Sequence, residues 1–496
     1  MGTALIVGAG PTGLTLACSL ARQGTEVRII EKSTGFQTSS RGKALNTRSL
    51  EVLGDLGLGD RLLAAGRTSL PFRKYFDGEF VADSDPVATA GSAPDSRYPF
   101  GLFIPQWRVE GLLREQLAGY GVEVELGTEL ADFSQDEHGV TAVLTDGRQI
   151  TADYLVGCDG GRSPIRKRLG IPFEGSSDPE QAMVCGDVEV EGLDRGVWHQ
   201  WFGAEGALLL CPFEDSPKWQ FQAAPERDAS GAMVEPSLES FQRIFDRYAG
   251  LPGVRLHNAT WLSTWRVNVR MAERYRVGRV LLAGDAAHVH PIAGGLGMNT
   301  GIQDAWNLGW KLGHVLDGLA GPGLLDSYQE ERLPIAAWTL NLTSAALATI
   351  NESVRTPGVG LEAGRTDDLT GLGIDYRWSA LSDDRLAGPL RAGDRAPDAP
   401  LESPEGVGTR LFDLYAGGRF TLLSFGCPAP EIGPAVRTVA VEAGPGSFRD
   451  PDGHARRAYG VERDALVLVR PDHHVALTVP ASDSGAVRDY LATLGR

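Results

Sequence analysis

The distribution of apolar residues over the first thirty positions predicts a strand, a helix and a second strand. Thr3–Val7 is an apolar run typical of a strand buried in a parallel sheet. Apolar side chains then recur at helical spacing over residues 14–21, and Gly24 ends that helix. A second apolar run at 27–30 leads into Glu31. This order favours an α/β domain built on a parallel sheet.

The rest of the chain alternates helical and strand patterns around one aromatic-rich region. We predict helices at 47–56, 106–117 and 237–248, a long helical region up to 353, and strands at 122–126, 141–144, 153–156, 419–425 and 465–470. Residues 71–99 have the pattern of short strands and loops, and residues 178–266 that of a sheet rich in tryptophan and phenylalanine. The pattern therefore predicts an α/β chain with a β-rich insertion.

Length and charge narrow the class of protein. A chain of 496 residues is too long for one ordinary core, so we expect two or three domains. Lys and Arg number 47 against 64 Asp and Glu, and the net charge of −17 argues against nucleic acid or an anionic membrane as partner. We find no secretory signal and no apolar run of the ~20 residues that a membrane span needs. Five widely spaced cysteines fit a reducing compartment, so we expect a cytoplasmic protein.

The first glycine-rich turn carries a nucleotide-binding pattern. Residues 4–13 read ALIVGAGPTG, in which Gly8, Gly10 and Gly13 have the spacing Gly-x-Gly-x-x-Gly between a strand and a helix. The first glycine permits the tight turn, the second lets a pyrophosphate approach, and the third lets the helix pack on the sheet. Glu31 at the end of the second strand is placed to accept hydrogen bonds from ribose hydroxyls.

A second glycine-rich loop lies nearly three hundred residues later. Residues 278–312 run from an apolar strand through Gly284-Asp285 and a loop containing PIAGGLGMN into a helix of small and apolar residues. A carboxylate past a strand end, beside a helix N-terminus, suits a polarised or anionic ligand. Two such elements far apart in the chain predict one long cofactor held by an interrupted domain.

Further candidate residues have both a functional and a structural interpretation. Arg41 and Arg48 flank the second helix and are either phosphate ligands or surface cations, and Gln106 is either a cofactor contact or a helix cap. Asp159 is either a cofactor ligand or the residue that orders its own turn. His288 and His290 have no third ligand at metal-binding spacing, so we predict no metal site.

Four motifs in chain order resemble the single-component, FAD-dependent aromatic hydroxylases, the class typified by p-hydroxybenzoate hydroxylase. The motifs are GAGPTG with Glu31, the Arg41 segment, Val156-Gly157-Cys158-Asp159-Gly160, and Gly284-Asp285 with PIAGGLGMN. Residues 393–401 (GDRAPDAPL) and 468–472 (LVRPD) look like the larger branch that acts on phenols and polyketides and carries a thioredoxin-like tail. The chain departs from the usual Arg-Ala pair with Arg41-Gly42-Lys43-Ala44, and it carries His473-His474 where Gly-x is more usual.

The resemblance implies a Rossmann-like FAD-binding domain interleaved with a β-sheet substrate domain, followed by a thioredoxin-like α/β domain. It assigns residues 1–72, 101–177 and 269–355 to the FAD-binding domain, 73–100 and 178–268 to the substrate domain, 356–390 to a connector and 391–496 to the tail. It further implies cofactor contacts by residues of all four motifs and the segments between them: Gly8, Gly10, Pro11, Thr12, Gly13, Glu31, Lys32, Arg41, Gln106, Leu130, Asp159, Asp285, Pro291, Gly295, Gly297, Met298 and Asn299.

The activity implied is hydroxylation of an aromatic compound with FAD, NADPH or NADH, and O2. In this class the reactive species is the C4a-hydroperoxyflavin, so no protein side chain is assigned as catalytic, and Pro291 and Gly295 would line the oxygenation site. We expect a polycyclic phenolic or polyketide substrate, and a homodimer is compatible with the chain. Baeyer–Villiger oxygenation of a related ketone and sequestration of an aromatic compound without turnover remain alternatives. The aromatic residues at 198–221 either stack on the substrate or form the sheet core.

Overall fold

The computed structural model is a mixed α/β structure in which both glycine-rich loops belong to one sheet-and-helix layer. It describes residues 2–39, 41–85, 95–204, 206–291, 293–353, 355–386 and 388–495, with the backbone alone at 178–181. The helices are α1 Pro11–Arg22, α2 Thr47–Asp55, α3 Gly59–Ala65, α4 Gln106–Gly119, α5 Pro164–Arg168, α6 Leu238–Ala249, α7 Leu296–Leu316, α8 Asp326–Ser353, α9 Leu411–Tyr415, α10 His454–Ala458 and α11 Ser484–Thr493.

The other regular elements are β-strands. They are β1 Thr3–Val7, β2 Glu26–Glu31, β3 Ala44–Leu45, β4 Phe72–Phe76, β5 Glu79–Ser84, β6 Leu102–Phe103, β7 Val124–Leu126, β8 Leu130–Gln135, β9 Val140–Leu144, β10 Gln149–Ala152, β11 Tyr154–Gly157, β12 Phe173–Glu191, β13 Trp198–Gly203, β14 Gly206–Pro212, β15 Lys218–Ala223, β16 Arg255–Ala272, β17 Arg276–Val277, β18 Val280–Leu282, β19 His288–Val289, β20 Asp383–Asp384, β21 Pro400–Glu402, β22 Gly408–Arg410, β23 Phe420–Phe425, β24 Val436–Val441, β25 Ala465–Val469 and β26 Val475–Pro480.

A six-stranded sheet in the order β17-β18-β11-β1-β2-β7 carries both glycine-rich loops. Strands β18, β11, β1, β2 and β7 pair in parallel, so the loops after β1, β11 and β18 open at the same edge. Ligands of parallel α/β sheets bind at this carboxyl edge. The sheet therefore brings the chain after Val7, after Gly157 and after Leu282 together, although these residues are far apart in sequence.

Helices α1 and α7 pack unusually closely against each other. A Cβ at Gly309 would lie 2.4 Å from the Ser19 Oγ, and a Cβ at Gly313 would lie 2.5 Å from the Gln23 Oε1. Any larger residue at these positions would push the helices apart. The glycines of α7 therefore set the distance between the two helices, and with it the distance between their N-termini.

An eight-stranded sheet in the order β19-β16-β12-β15-β14-β13-β4-β5 forms the β-rich region. Helix α6 covers one face of it, where its phenylalanines pack on the sheet core, and the Phe221 and Phe241 rings stack with centroids 4.2 Å apart. Strands β4 and β5 come from the segment before α4 and extend this sheet through the parallel pairing of β4 with β13.

The C-terminal region is a five-stranded sheet in the order β20-β26-β25-β23-β24 with helices α9, α10 and α11 around it. Its apolar core is continuous with the end of α7, since Trp310 packs with Phe420 and Leu468. Cys427, the cysteine of this region, is a free thiol in the part of the chain that the structure describes. The thioredoxin-like assignment of this region stays a prediction.

A buried ionic cluster joins this C-terminal sheet to α7 and α8. Arg470 donates two hydrogen bonds to Glu331, at 2.7 and 2.8 Å, and the Lys311 ammonium lies 2.6 Å from the same carboxylate. Asp472 accepts from Arg470 and from the Trp310 indole at 3.0 Å. Burial opposes ionisation of Glu331, but the charges of Arg470 and Lys311 hold its pKa below the ordinary value.

Several element ends differ from the sequence-based predictions for local reasons. The strand predicted at 122–126 begins at Val124, because Val122 donates to the Leu117 carbonyl in the turn that ends α4. The strand predicted at 465–470 ends at Val469, because Arg470 enters a tight turn in which His473 has a φ of 62°. Both differences arise from turn hydrogen bonds that periodicity does not report.

One helical stretch, Pro322–Ser353, has the length and composition of a membrane span, with a mean hydropathy of 1.4 in its best 18-residue window. We expected no such segment, because polar residues such as Asn341 and Thr343 interrupt the apolar run. A third of the window (33%) is buried within the protein. Core helices of globular proteins meet the same two criteria.

The Glu331→Gln variant tests the buried cluster. Removing the charge leaves Lys311 without its paired carboxylate and Arg470 with Asp472 alone, so we expect a loss of about 3 kcal/mol in the free energy of unfolding. Urea denaturation followed by tryptophan fluorescence measures it. Asp146→Asn, which breaks the exposed pair with Arg148, is the matched control and should leave the unfolding midpoint unchanged. Equal behaviour of the two variants would show that the cluster does not stabilise the chain.

Candidate functional site

The turn between β1 and α1 has the geometry of a pyrophosphate cradle. Gly8 has a φ of 105°, and a Cβ at Gly13 would lie 2.0 Å from the Gly8 carbonyl, so both glycines are required by the turn itself. A Cβ at Gly10 would meet no protein atom within 4 Å, so this position faces open space. Helix α1 begins at Pro11 without a side-chain cap, which leaves N–H groups of its first turn for a ligand.

Glu31 lies at the far end of this cradle. Its carboxylate accepts hydrogen bonds from the backbone N–H of Ala9 at 3.1 Å and of Ser33 at 2.9 Å. The Thr128 N–H donates to the Glu31 carbonyl at 2.9 Å, which brings the start of β8 at Leu130 alongside. These bonds fix the carboxylate at the strand end. Lys32 is exposed beside it.

Thr12 joins the first glycine-rich loop to the second. Cβ atoms placed at Gly284 and Gly301 would lie 2.4 and 2.3 Å from the Thr12 Oγ1, so both glycines are needed to admit this side chain. Gly284 lies after β18 and Gly301 on α7, and the contact therefore places the N-terminus of α1 directly beside both. The two motifs, predicted to share a ligand, lie together in the fold.

The Asp285 side chain is exposed, although nearby protein groups are dense enough to shift its pKa. Burial raises the pKa of this carboxyl, while the charges of His288 and Arg41 act in the opposite direction. The Arg41 side chain is exposed as well. Arg41 and Asp285 thus lie in each other's electrostatic range.

Gln106 holds the Arg41 segment in place. Its Oε1 accepts from the Gly42 N–H at 3.1 Å, its own N–H donates to the Gly42 carbonyl at 3.0 Å, and its Nε2 donates to Glu110 at 2.8 Å. The side-chain amide is therefore engaged by protein groups, and Gln106 positions the loop. Gln106 is not the cap of α4, because the N-cap residue is Pro105, which makes no side-chain hydrogen bond.

In the second loop, the backbone N–H groups at the start of α7 have no side-chain cap. Gly294 and Gly295 adopt left-handed conformations with φ of 75° and 63° and are exposed, and α7 has no side-chain cap. Left-handed backbone at two successive positions favours glycine. The N–H groups of the first helical turn, which includes Gly297 and Met298, are free of capping side chains. Pro291 before this loop is buried.

Asn299 ties this loop to the Arg41 segment. Its buried amide donates to the Ala44 carbonyl at 3.2 Å and to the Gly295 carbonyl at 2.8 Å, and it accepts from the Asn46 N–H at 2.9 Å. A Cβ at Gly42 would lie 3.4 Å from the Met298 Cε. The Arg41 segment and the N-terminus of α7 therefore form two adjoining walls.

A buried charge network that sequence reasoning missed lies under the loop. The Asp304 carboxylate contacts the His288 imidazole at 2.6 Å, accepts from Arg332 at 2.7 Å and accepts from the Gly284 N–H at 3.1 Å. Burial opposes ionisation, but the charges of His288 and Arg332 hold the pKa of Asp304 below its ordinary value. The single acidic residue of α7, in the middle of a largely buried helix, was the available signal.

His290 lies beside this network. Burial lowers the pKa of His290 to about 3, so the imidazole is neutral at physiological pH. Its ring stacks on that of His288 with centroids 5.9 Å apart. Within the described residues, no group of three or more His, Cys, Asp or Glu side chains could hold a metal ion.

Asp159 lies after β11, at the same sheet edge. One carboxylate oxygen accepts from the Ile165 N–H at 3.2 Å, and burial raises the pKa of the group. The other oxygen is buried and has no partner among the residues described. Of the neighbouring basic residues, Arg166 is buried and donates to the Ala286 carbonyl at 2.7 Å, so it braces the second loop.

The two faces of the eight-stranded sheet differ in chemistry. Trp201, Trp219 and Phe221 point towards α6 and form the apolar core, which is the core alternative considered for these aromatics. The alternating positions of the same strands point the other way. This second group combines the polar or sulfur-bearing Lys74, Cys185, Gln200, Cys211, Gln220 and Gln222 with the apolar Phe72, Trp198, Phe202 and Leu209. Lys43, from the Arg41 segment, donates to Gln222 of this face.

These features fit FAD. The open position at Gly10, the uncapped N-termini of α1 and α7, the carboxylate of Glu31 and the exposed carboxylate of Asp285 suit a pyrophosphate, a ribose, a ribityl chain and a flat ring system. The unpartnered oxygen of Asp159 suits a further polar contact.

Comparisons with known proteins agree with this interpretation. A family profile described as FAD binding domain matches residues 2–343, and one described as aromatic-ring hydroxylase, C-terminal, matches residues 390–495. A flavin-dependent monooxygenase of Mycobacteroides abscessus is 39% identical over 99% of both chains. The 6-methylpretetramide 4-monooxygenase of Streptomyces rimosus is 36% identical over 95% of this chain and 90% of its own.

A solved structure gives the same result for the fold. Aklavinone-11 hydroxylase, in a ternary complex with FAD and aklavinone, superposes with a TM-score of 0.83 at 28% identity and covers 100% of this chain and 99% of its own. The mixed α/β fold expected from the sequence is therefore confirmed over the whole chain.

Gly10→Ala tests the cradle. A Cβ here meets no protein atom, so the variant should fold normally, but the added methyl occupies the space for the pyrophosphate and FAD affinity should fall at least tenfold. Equilibrium titration of the apoprotein with FAD, followed by flavin fluorescence, measures it.

The matched control is Gly119→Ala, also open, at the end of α4 and away from the cradle, which should bind FAD normally. Gly13→Ala, whose Cβ would lie 2.0 Å from a carbonyl oxygen, should instead fail to fold. Full FAD affinity in Gly10→Ala would place the pyrophosphate elsewhere.

Proposed function

Because the chain belongs to the FAD-binding family of flavin-dependent aromatic-ring monooxygenases, we propose that it uses NAD(P)H and O2 to hydroxylate a polycyclic phenolic or polyketide compound. When bound, FAD supplies the redox chemistry that takes electrons from NAD(P)H and activates O2. The protein's part is to bind and orient both molecules and to exclude water.

The observation that carries the proposal is the junction at Thr12. The close approach of Thr12 to Gly284 and Gly301 supports a single site that contains both the turn after β1 and the second glycine-rich loop. We propose that the cradle residues Gly8, Gly10, Pro11, Thr12 and Gly13 hold the pyrophosphate, and that Glu31, Lys32 and Leu130 hold the adenosine end. Arg41, Asp159 and Asp285 would contact the linker, with Gln106 positioning Arg41.

The flavin ring would lie against Pro291, Gly295, Gly297, Met298 and Asn299. The uncapped first turn of α7 provides N–H groups and a positive helix end, which stabilise negative charge on a reduced ring. The Asp304 carboxylate accepts from the Gly284 N–H, and the neutral His290 imidazole directly precedes Pro291 at the start of this loop. These protein groups supply orientation and electrostatic stabilisation, so the reaction needs no protein nucleophile.

The substrate would occupy the space between this loop and the polar face of the eight-stranded sheet. That face offers amide groups, thiols and the Trp198 indole, a mixture that suits a flat molecule with several oxygen substituents. Relatives named for their action on 6-methylpretetramide and aklavinone support a multi-ring substrate.

Anaerobic reduction kinetics test the proposal. The FAD-loaded protein is mixed with NADPH or NADH, with and without polycyclic phenols, and flavin bleaching is followed at its visible absorbance. We expect a substrate that accelerates bleaching and that, after O2 is admitted, gives a product one oxygen atom heavier. NMR of the product separates hydroxylation from the ring expansion of a Baeyer–Villiger reaction. Bound FAD that neither nucleotide reduces under any condition would contradict the proposal.

A further inference from the structure

The side chain of Lys43 points from the Arg41 segment to the polar face of the eight-stranded sheet. Its ammonium donates to the Gln222 Oε1 and lies 4.2 Å from the centroid of the Trp198 ring. The Lys43 carbonyl accepts from the Ile104 N–H at 3.0 Å, which fixes the backbone. Lys43 thus follows Gly42, where an added Cβ would lie 3.4 Å from the Met298 Cε at the start of α7, and it faces the proposed substrate space.

Among the residues that the structure describes, Lys43 has no anionic partner. It makes no ion pair with any residue that the structure describes, and the titratable groups nearest to it are the thiols of Cys185 and Cys211. Burial raises the pKa of these thiols to about 12 and about 11, so both are neutral. Asp187 lies further along β12 on the same face and acts on Cys185.

A second lysine on the same face provides the contrast. Lys74 lies on β4, three strands from Gln222 of β15, forms an ion pair with Glu362 and donates to the Gly358 carbonyl at 2.9 Å. An enclosed ammonium without a counter-ion loses hydration that an amide and an indole replace only in part. Consistently, burial lowers the pKa of Lys43 to about 8. An anionic ligand would supply the missing charge.

We propose that Lys43, together with the Gln222 amide, binds an ionised phenolic or enolic oxygen of the substrate. This inference rests on the proposed function, because it takes the space beside Lys43 as the substrate site. In this role, Lys43 selects acidic phenols and enols over neutral aromatic compounds of the same shape. Ionisation releases the hydroxyl proton to solvent, or to the lysine amine where that amine is neutral, and raises the electron density of the ring that is to be oxygenated.

The binding of matched ligand pairs tests this role. The probes are lawsone with two rings and alizarin with three, each compared with its fully O-methylated ether, and dissociation constants are read from the flavin absorbance of the FAD-loaded protein. We expect the hydroxy compounds to bind more tightly. In Lys43→Met this preference should fall by about 10- to 100-fold, as expected for a charged hydrogen bond, while the ethers bind as before.

The pH profile separates a charge effect from a packing effect. In the wild type, affinity for the hydroxy compounds should weaken as pH rises through about 8, because the ammonium loses its proton. Lys43→Arg should keep the preference without that dependence, since the guanidinium stays charged. Lys167→Met, which removes an equal charge from an exposed position on α5, should behave as the wild type.

The outcomes distinguish the two proposals. If the hydroxy compounds bind and accelerate flavin reduction equally in the wild type and in Lys43→Met, the role of Lys43 is wrong and the proposed function stands. If hydroxy compounds and ethers bind equally to the wild type, the role is wrong as well. If no phenol binds to the FAD-loaded wild type or accelerates its reduction by NADPH, both proposals fail.

Discussion

The close packing of α1 on α7 is the constraint on which the site depends. Glycines at 301, 309 and 313 admit Thr12, Ser19 and Gln23 at distances that no larger residue would allow. Because the two helices run side by side, their uncapped N-termini open at the same edge of the six-stranded sheet. This contact and the parallel sheet together bring two glycine-rich loops separated by nearly three hundred residues to one edge of the fold.

Two successive residues of α8 connect that site to the C-terminal region. Arg332 reaches Asp304, which binds His288 and the Gly284 N–H under the flavin loop. Glu331, about 100° further round the helix, reaches Arg470 of the C-terminal sheet. Both side chains are buried, where an unpaired charge is costly. The ion pairs with Asp304 and Arg470 therefore fix the rotation of α8 about its axis. Through these ion pairs the C-terminal region is connected to the residues that support the second glycine-rich loop.

In the eight-stranded sheet, successive side chains point to opposite faces, and the two faces differ in chemistry. Residues facing α6 are apolar and form the core, whereas their neighbours on the same strands present amides, thiols and Lys43's partner Gln222 to the opposite side. The tryptophan and phenylalanine content of this region therefore reports mainly on the core. We propose that the positions between them, on the opposite face, contact the substrate.

The sequence alone determined what is local. Gly8, Gly10 and Gly13 imply a cradle because turn geometry and close approach are properties of a few consecutive residues, and the order of motifs implied the family and the α/β fold. The domain boundaries and the individual cofactor contacts stay predictions. Only the tertiary structure decided that Gln106 positions a loop, that Asp304 and Arg332 support it, and that Lys43 meets the β-rich sheet without a counter-ion. Each of these facts depends on residues tens to hundreds of positions apart, whose proximity follows from strand order and helix packing and leaves no periodic trace in the chain.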